Sequence, residues 1–170
     1  MPRFPRNAVA YAAAGFLVTA GGGALLTRID RWYRSLRKPS WQPPDGAFGP
    51  AWTIIFLLTA WSFLLSWQQL STAQQRARLG GVYGLNAGLN ALWTYLFFTR
   101  RRPDLALLEA GPLLGSIALL MATTAPLDKR ATAALSPYLI WVSFATVLNA
   151  SIVRMNPAQI AAARGADARR

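Results

Sequence analysis

Five long runs of apolar residues, separated by short clusters of charge, constrain this chain more than any other feature of its sequence. They cover about residues 8–27, 47–68, 79–99, 104–125 and 131–153. About 20 residues suffice for a helix to cross the ~30 Å hydrocarbon core of a bilayer, and a helix satisfies its own backbone hydrogen bonds there. The pattern predicts an all-α membrane protein, a five-transmembrane-helix bundle that forms a single domain over residues 1–157. Residues 158–170 are predicted to be a flexible basic tail.

The first connection, residues 31–53, reads RWYRSLRKPSWQPPDGAFGPAWT and is too aromatic for an ordinary solvated linker. It cannot be helical throughout, because Pro39, Pro43 and Pro44 remove backbone donors and bias the preceding residues toward extended conformations. Its aromatic side chains, Trp41 among them, need an apolar surface to pack against. We therefore expect a long structured loop between helices 1 and 2, called the lid below, to cap a ligand pocket at the mouth of the bundle.

Composition agrees with a membrane protein and excludes several kinds of chemistry. Apolar residues make up 54% of the chain and charged residues 14%, against about a quarter charged in soluble domains. Cysteine and histidine are both absent, which removes disulfides, thiolate nucleophiles, histidine acid–base catalysis and the usual zinc sites. We expect no metal site and no required cofactor.

The basic residues predict an orientation. The N-terminus and the second and fourth loops carry six Lys and Arg residues, whereas the first and third loops and the tail carry twelve. The positive-inside bias places the N-terminus outside and the C-terminus, with the lid, on the cytoplasmic side. Because these residues cluster at the ends of apolar runs, the net charge of +12 indicates membrane orientation rather than a nucleic-acid partner. Anionic lipid headgroups or an acidic ligand could share the cations.

Several spaced motifs identify a family. The lid reads RWY-x2-L-x-KPSW-x-PP-x4-GP-x-W, residues 89–98 read LNALWTYLFF, residues 137–141 read PYLIW, and LN follows at 148–149. Together these motifs resemble the TspO/MBR family. That family comprises the tryptophan-rich sensory proteins of bacteria and the translocator proteins of mitochondria, also called peripheral-type benzodiazepine receptors. The resemblance covers approximately residues 8–156.

The resemblance implies a five-helix bundle, usually a homodimer, that binds tetrapyrroles such as protoporphyrin IX as well as sterols and synthetic benzodiazepine-site ligands. Two departures stand out. Gly46 and Leu105 occupy positions where translocator proteins often carry Trp. The sterol-recognition pattern near the end of the fifth span requires an aromatic residue, and none lies between Leu148 and Arg154, so the resemblance does not extend to this pattern.

The candidate pocket residues are aromatic, amide or acidic, and the orientation puts them between the midplane and the lid. Tryptophan faces suit a flat macrocycle, and a few polar groups would fix its position. Two alternatives remain open, since tryptophans also form interfacial belts and asparagines also join helices. The predicted ligand-binding residues are Trp41, Trp52, Phe56, Asn86, Asn90, Trp93, Glu109, Trp141, Phe144 and Asn149.

Charged groups near this pocket have two interpretations. Glu109 is the one acid inside an apolar run, and a charge in lipid costs ~2.5 kcal/mol or more. It is either a polar handle for a ligand amine or ring nitrogen, or an acid paired with Asn90 or with a residue of 100–102. The lid cations could bind porphyrin propionates or simply orient the protein. They are Arg28, Arg31, Arg34, Arg37 and Lys38.

A glycine stripe marks the third span. Gly80, Gly84 and Gly88 follow one another at intervals of four, a spacing that lets helix backbones approach closely. We expect this face to contact helix 3 of a second copy, with packing inside one monomer as the alternative.

Three functions compete at this stage. The first is a sensor, regulator or carrier that binds tetrapyrroles and related flat hydrophobic ligands. The second is a light-dependent enzyme that degrades porphyrin. Because the sequence offers no hydrolytic triad, its catalysis would depend on the ligand's photochemistry and on Trp141. The third is a dimeric assembly module of the membrane.

Overall fold

The structure, a computed structural model, describes residues 5–27 and 29–167, and within these ranges it contains helices and no strand. Side chains are described there except at 18, 20, 22–26 and 166–167. The predicted all-α class is confirmed. In chain order the helices are α1 (Arg6–Leu26), α2 (Arg31–Ser35), α3 (Asp45–Gln68), α4 (Ala73–Thr94), a π-helical segment (Tyr95–Thr99), α5 (Pro103–Thr124), α6 (Lys129–Ala134), α7 (Ser136–Met155) and α8 (Pro157–Asp167).

Five helices, α1, α3, α4, α5 and α7, correspond to the five predicted spans. By length and composition, three stretches of the described chain could cross a membrane: Asp45–Gln68, Pro103–Thr124 and Lys129–Met155. The crossing of all five therefore stays a prediction.

The outer surface of the long helices is apolar. Leu108 is 74% exposed, Ile140 69% and Val147 59%. Polar side chains lie inside instead, for example Ser62 and Asn149. A surface of this kind suits lipid rather than water as the surrounding solvent.

The helices pack as a bundle in which α4 lies between α1 and α5, α5 lies against α7, and α1 lies against α3. Buried amides join them. Asn86 Nδ2 donates to Ser116 Oγ at 2.8 Å, which links α4 to α5. Asn90 Nδ2 donates to Tyr138 Oη at 3.2 Å, which links α4 to α7. The interhelical role left open for both asparagines is thus present in the structure.

The third predicted span is longer than expected at its start. The apolar run begins near residue 79, but α4 begins at Ala73 because a capping box precedes it. Thr72 Oγ1 accepts the Gln75 N–H at 3.2 Å, and Gln75 Oε1 accepts the Thr72 N–H at 3.1 Å. Hydropathy alone does not predict this first turn, because its residues are polar.

At its other end, α4 passes into the π-helical segment. The Arg100 N–H donates to the Tyr95 carbonyl at 2.9 Å, and Arg101 then takes a left-handed φ of 54°. Such conformations are uncommon outside glycine. The chain thereby turns into Pro103, the first residue of α5, and Phe97 of the π-helical segment is buried.

The lid is part helix and part extended loop. It includes α2, which is capped by Asp30, whose Oδ1 accepts the Tyr33 N–H at 3.0 Å. Asp30 also pairs with Arg101 at 2.8 Å. The Tyr33 N–H, followed by Arg101, lowers the pKa of Asp30 below its ordinary value, so the cap is ionised at neutral pH.

Asn156, which follows α7, holds the middle of the lid. Its Oδ1 accepts the Arg37 N–H at 2.8 Å, and its Nδ2 donates to the carbonyl oxygens of Arg37 at 2.8 Å and Ile152 at 2.7 Å. The side chain is 1% exposed. One buried amide therefore pairs both backbone groups of a lid residue and fixes the lid to the end of α7.

The region predicted as a flexible tail contains α8. Ile160 of this helix is buried, and Arg164 Nε donates to Asp104 Oδ2 at 3.0 Å. Pro157 begins it, a favourable first position because proline lacks an N–H. Residues 168–170 lie outside the described chain, as do Arg3 and Arg28, which entered the predictions on orientation and on the lid cations.

We expect Asn156→Ala to loosen the lid, because it leaves both backbone polar groups of Arg37 without their partner. The loss should lower the free energy of unfolding by about 2 kcal/mol. Amide hydrogen exchange over residues 36–44 should rise while exchange in α5 stays unchanged. Gln159→Ala, at an exposed position of α8, is the control. Equal exchange in the two variants would contradict the anchoring role.

Candidate functional site

A cavity of about 490 Å³ lies between α3, α4, α5 and α7 and extends to the lid. Its size falls within the range of small-molecule sites, which hold a largely apolar lining and a few polar groups. Lid residues Tyr33 and Gln42 contribute to its wall, together with Phe48 at the start of α3. Residues of the lid therefore form part of the wall of a cavity in the structure.

Aromatic rings from three helices form much of the wall. Trp52 stacks on Phe56 with centroids 5.3 Å apart, and Trp93 stacks on Phe97 at 5.2 Å. Trp141 stands nearly perpendicular to Trp52 at 6.5 Å. The helical spacing of four residues brings each stacked pair onto one face of its helix. The cavity thus presents both faces and edges of aromatic rings to an occupant.

A small polar group lies where the lid meets the cavity. Tyr33 Oη donates to Asp45 Oδ1 at 3.2 Å, and Gln42 Nε2 donates to the same oxygen at 3.3 Å. Burial, followed by the charge of Asp45, raises the pKa of Tyr33 to about 12. Tyr33 is therefore a neutral hydroxyl at physiological pH.

The lid cations do not line the cavity as far as the structure describes them. Arg31, Arg34 and Arg37 are exposed, and Lys38 Nζ lies 3.7 Å from the centroid of the Tyr33 ring. The described lining contains one charged residue, Asp45, and it is acidic. An anionic group of a ligand would thus meet basic partners outside the cavity rather than within it.

The structure brings six of the ten predicted ligand-binding residues to this cavity and leaves four away from its lining. The six are Trp52, Phe56, Asn90, Trp93, Trp141 and Asn149, and the four are Trp41, Asn86, Glu109 and Phe144.

Two of the four form an outer aromatic layer. Trp41 is 47% exposed and meets Phe144 edge-on at 5.8 Å, and Phe144 in turn lies 5.5 Å from Trp141. They support the wall from behind. Asn86 lines a second cavity, between α1, α3 and α4.

Glu109 is 7% exposed, and neither of its carboxyl oxygens has a hydrogen-bond partner among the described residues. The pairing with Asn90 that the sequence left open is not formed, since the Asn90 amide donates to Tyr138. Glu109 lies one helical turn before Leu113, which lines the cavity. An unpaired carboxylate in such surroundings is costly. Glu109 thus adjoins the site, and the described residues supply no hydrogen-bond partner for its carboxyl group.

Several lining residues were not among the predicted ligand-binding residues. Tyr33, Gln42 and Asp45 lie within the lid motif but were not selected, because their approach to the cavity depends on how the lid folds. Phe97 follows Trp93 by four residues, and that spacing was a usable signal. Thr146 gave no signal beyond its place on α7.

The glycine stripe divides between two environments. Gly80 and Gly84 line the second cavity beside α1. Gly88 lines neither cavity and lies on the exposed surface near Leu85 and Leu92. A Cβ added at any of the three glycines would meet no described atom within 4 Å.

The structure is an apolar helical bundle with an aromatic cavity next to a lid. These features define a class of protein, the integral membrane proteins with an internal hydrophobic cavity. The chain belongs to the TspO/MBR family, which it matches over residues 8–155. It is 37% identical to the tryptophan-rich protein TspO of Chlorobaculum tepidum over 131 residues, covering 74% of this chain and 80% of that protein.

Two further relatives carry the other names used in the family. The tryptophan-rich sensory protein of Cereibacter sphaeroides is 34% identical over 145 residues, 85% of this chain and 87% of that protein. The human translocator protein is 32% identical over 127 residues, 74% of this chain and 75% of that protein. The expected family is thus confirmed.

Proposed function

We propose that the protein binds a flat hydrophobic ligand of the tetrapyrrole class, such as protoporphyrin IX, in the lid-capped cavity and acts as a sensor, regulator or carrier. The observation that carries this proposal is the arrangement of Trp52, Trp93 and Trp141 around one cavity of about 490 Å³. Aromatic faces stack favourably on a conjugated macrocycle.

Polar groups of the cavity would orient the ligand. In this proposal the macrocycle lies among the tryptophans and its two carboxylates point toward the lid. The acidic Asp45 disfavours carboxylates inside, whereas Arg34, Arg37 and Lys38 offer charge-assisted hydrogen bonds on the lid. The lid cations would thus bind the carboxylates at the edge of the ligand.

Titration with protoporphyrin IX in detergent should quench the intrinsic Trp fluorescence. Trp52→Ala and Trp93→Ala should each weaken binding about tenfold, because each removes a stacking face. Trp61→Ala is the control, since Trp61 is exposed and does not line the cavity. If the control weakens binding as much as the two site variants, the ligand lies elsewhere.

A second function, light-driven porphyrin degradation, is favoured by one observation. Trp141 lines the cavity, lies 6.5 Å from Trp52, and its Nε1 has no acceptor in the described chain. In this mechanism light excites the bound porphyrin and dissolved dioxygen is the oxidant. Trp141 takes part by transferring an electron to or from the porphyrin.

Illumination of the complex separates the two functions. A binding protein leaves the porphyrin absorption spectrum unchanged relative to free ligand, whereas a degrading enzyme bleaches it. If degradation occurs, Trp141→Phe should slow it several-fold and leave the dissociation constant within about twofold, because the aromatic face remains. An unchanged bleaching rate in the variant would remove Trp141 from the mechanism.

We also propose a homodimer through α4, with the N-terminus outside and the C-terminus cytoplasmic. The exposed face that suits a helix partner contains Leu85, Gly88 and Leu92, where a small residue lies between two apolar ones.

Gly88→Leu should convert the dimer to a monomer, since the added side chain keeps the two backbones apart. Light scattering in detergent measures the mass directly. Gly111→Leu, at an exposed position of α5, is the matched control. Persistence of the dimer in Gly88→Leu would place the interface on another face.

A further inference from the structure

The second cavity, of about 580 Å³, differs from the first in its lining and in its polar groups. It runs along α1, α3 and α4, and the part of its wall between Gly15 on α1 and Gly80 and Gly84 on α4 is built from small residues. The glycines leave room for a chain of methylene groups along the helices. Small residues alone would not identify an occupant, however, so the polar end of the cavity decides the matter.

At that end two neighbouring side chains each carry one N–H without an acceptor among the described residues. Trp67 is 6% exposed, and Arg76 lies over its ring with its guanidinium carbon 5.5 Å from the centroid. Arg76 Nη2 donates to the Leu70 carbonyl at 2.8 Å. Among the described residues, however, no acceptor lies within hydrogen-bonding distance of Trp67 Nε1 or Arg76 Nε. Buried donors are rarely left unpaired, so an indole N–H and a guanidinium N–H on neighbouring side chains suit an anionic acceptor.

The surroundings of these donors are also basic. Arg6 begins α1 and Arg78 follows Arg76 on α4, both at the same end of the bundle. Asp128, in the loop before α6, is paired with Arg130 at 2.9 Å. The field at this end therefore favours an anion.

The length of the cavity matches one membrane leaflet. On α3 it extends from Phe56 to Trp67, and eleven residues of helix span ~16 Å. Half of a ~30 Å hydrocarbon core is ~15 Å. At the inner end the amide donors of Asn86 and Asn90 are already bonded to Ser116 and Tyr138, which leaves that end to hydrocarbon.

From these observations we infer that the second cavity binds one acyl chain of an anionic phospholipid, whose phosphate accepts hydrogen bonds from Trp67 Nε1 and the Arg76 guanidinium. The site is separate from the lid-capped cavity, although Phe56 and Asn90 contribute to both walls. The lipid would thus lie directly behind a wall of the first site.

Native mass spectrometry with added phosphatidylglycerol, and phosphatidylcholine as the uncharged comparison, tests this inference. The wild-type protein should retain one phosphatidylglycerol molecule in preference to phosphatidylcholine. Arg76→Gln and Trp67→Phe should each reduce its retention about tenfold, the loss expected for a hydrogen bond to a charged group. Arg78→Gln makes the same change of charge two residues away, but it weakens the basic field without removing a hydrogen bond to the phosphate, so its loss of retention should be clearly smaller than that of Arg76→Gln. Equal losses in Arg76→Gln and Arg78→Gln, or full retention in Trp67→Phe, would overturn the inference.

Gly80→Leu distinguishes a lipid from a second protein copy. If an acyl chain occupies the cavity, the added side chain reduces phosphatidylglycerol retention and the oligomeric state does not change. If the variant instead dissociates the dimer and retains the lipid, the cavity is a protein interface and the inference is wrong. Unchanged thermal unfolding and helical circular dichroism would show that each variant is folded.

Discussion

The attachment of the lid by Asn156 is the interaction on which the site depends. A proline-rich loop has few backbone hydrogen bonds of its own, and an unpaired backbone group is costly away from water. Asn156 supplies both partners for Arg37 from the end of α7. Asp30 and Arg101 hold the start of the same segment at 2.8 Å. With both points fixed, Tyr33 and Phe48 lie against the cavity and form part of its wall.

Inside the bundle, polar side chains act chiefly as links between helices. Lipid gives little hydrophobic drive for one helix to bind another, so the bonds of Asn86 to Ser116 and of Asn90 to Tyr138 help to define the packing. Glu109, Trp67 and Trp141 are different, because each has a buried polar atom without a described partner. Trp67 and Trp141 line the two cavities, and Glu109 lies one helical turn before Leu113, a lining residue of the first.

Apolar run length was enough to predict the class of fold and the approximate position of each long helix. It could not show that α4 begins at Ala73, because a capping box rather than hydropathy determines that start. Nor could it show α8, which is held partly by Arg164 and Asp104, residues 60 positions apart in sequence. For the site, helical spacing and the family motif selected Trp52, Trp93 and Trp141 for the cavity. Trp41 was misplaced because the direction of a loop side chain depends on tertiary contacts.

The junction at the end of α7 has a practical consequence for handling the protein. Asn156 holds the lid, and the next residue, Pro157, begins α8. The residue that anchors the lid and the C-terminal helix are therefore adjacent in the backbone. A tag or fusion partner attached after α8 would pull on that stretch of backbone and could disturb the Asn156 contacts with the lid. The start of α1, where Asn7 lines the second cavity beside Trp67 and Arg76, lies at the other end of the bundle, so additions before α1 are the safer choice.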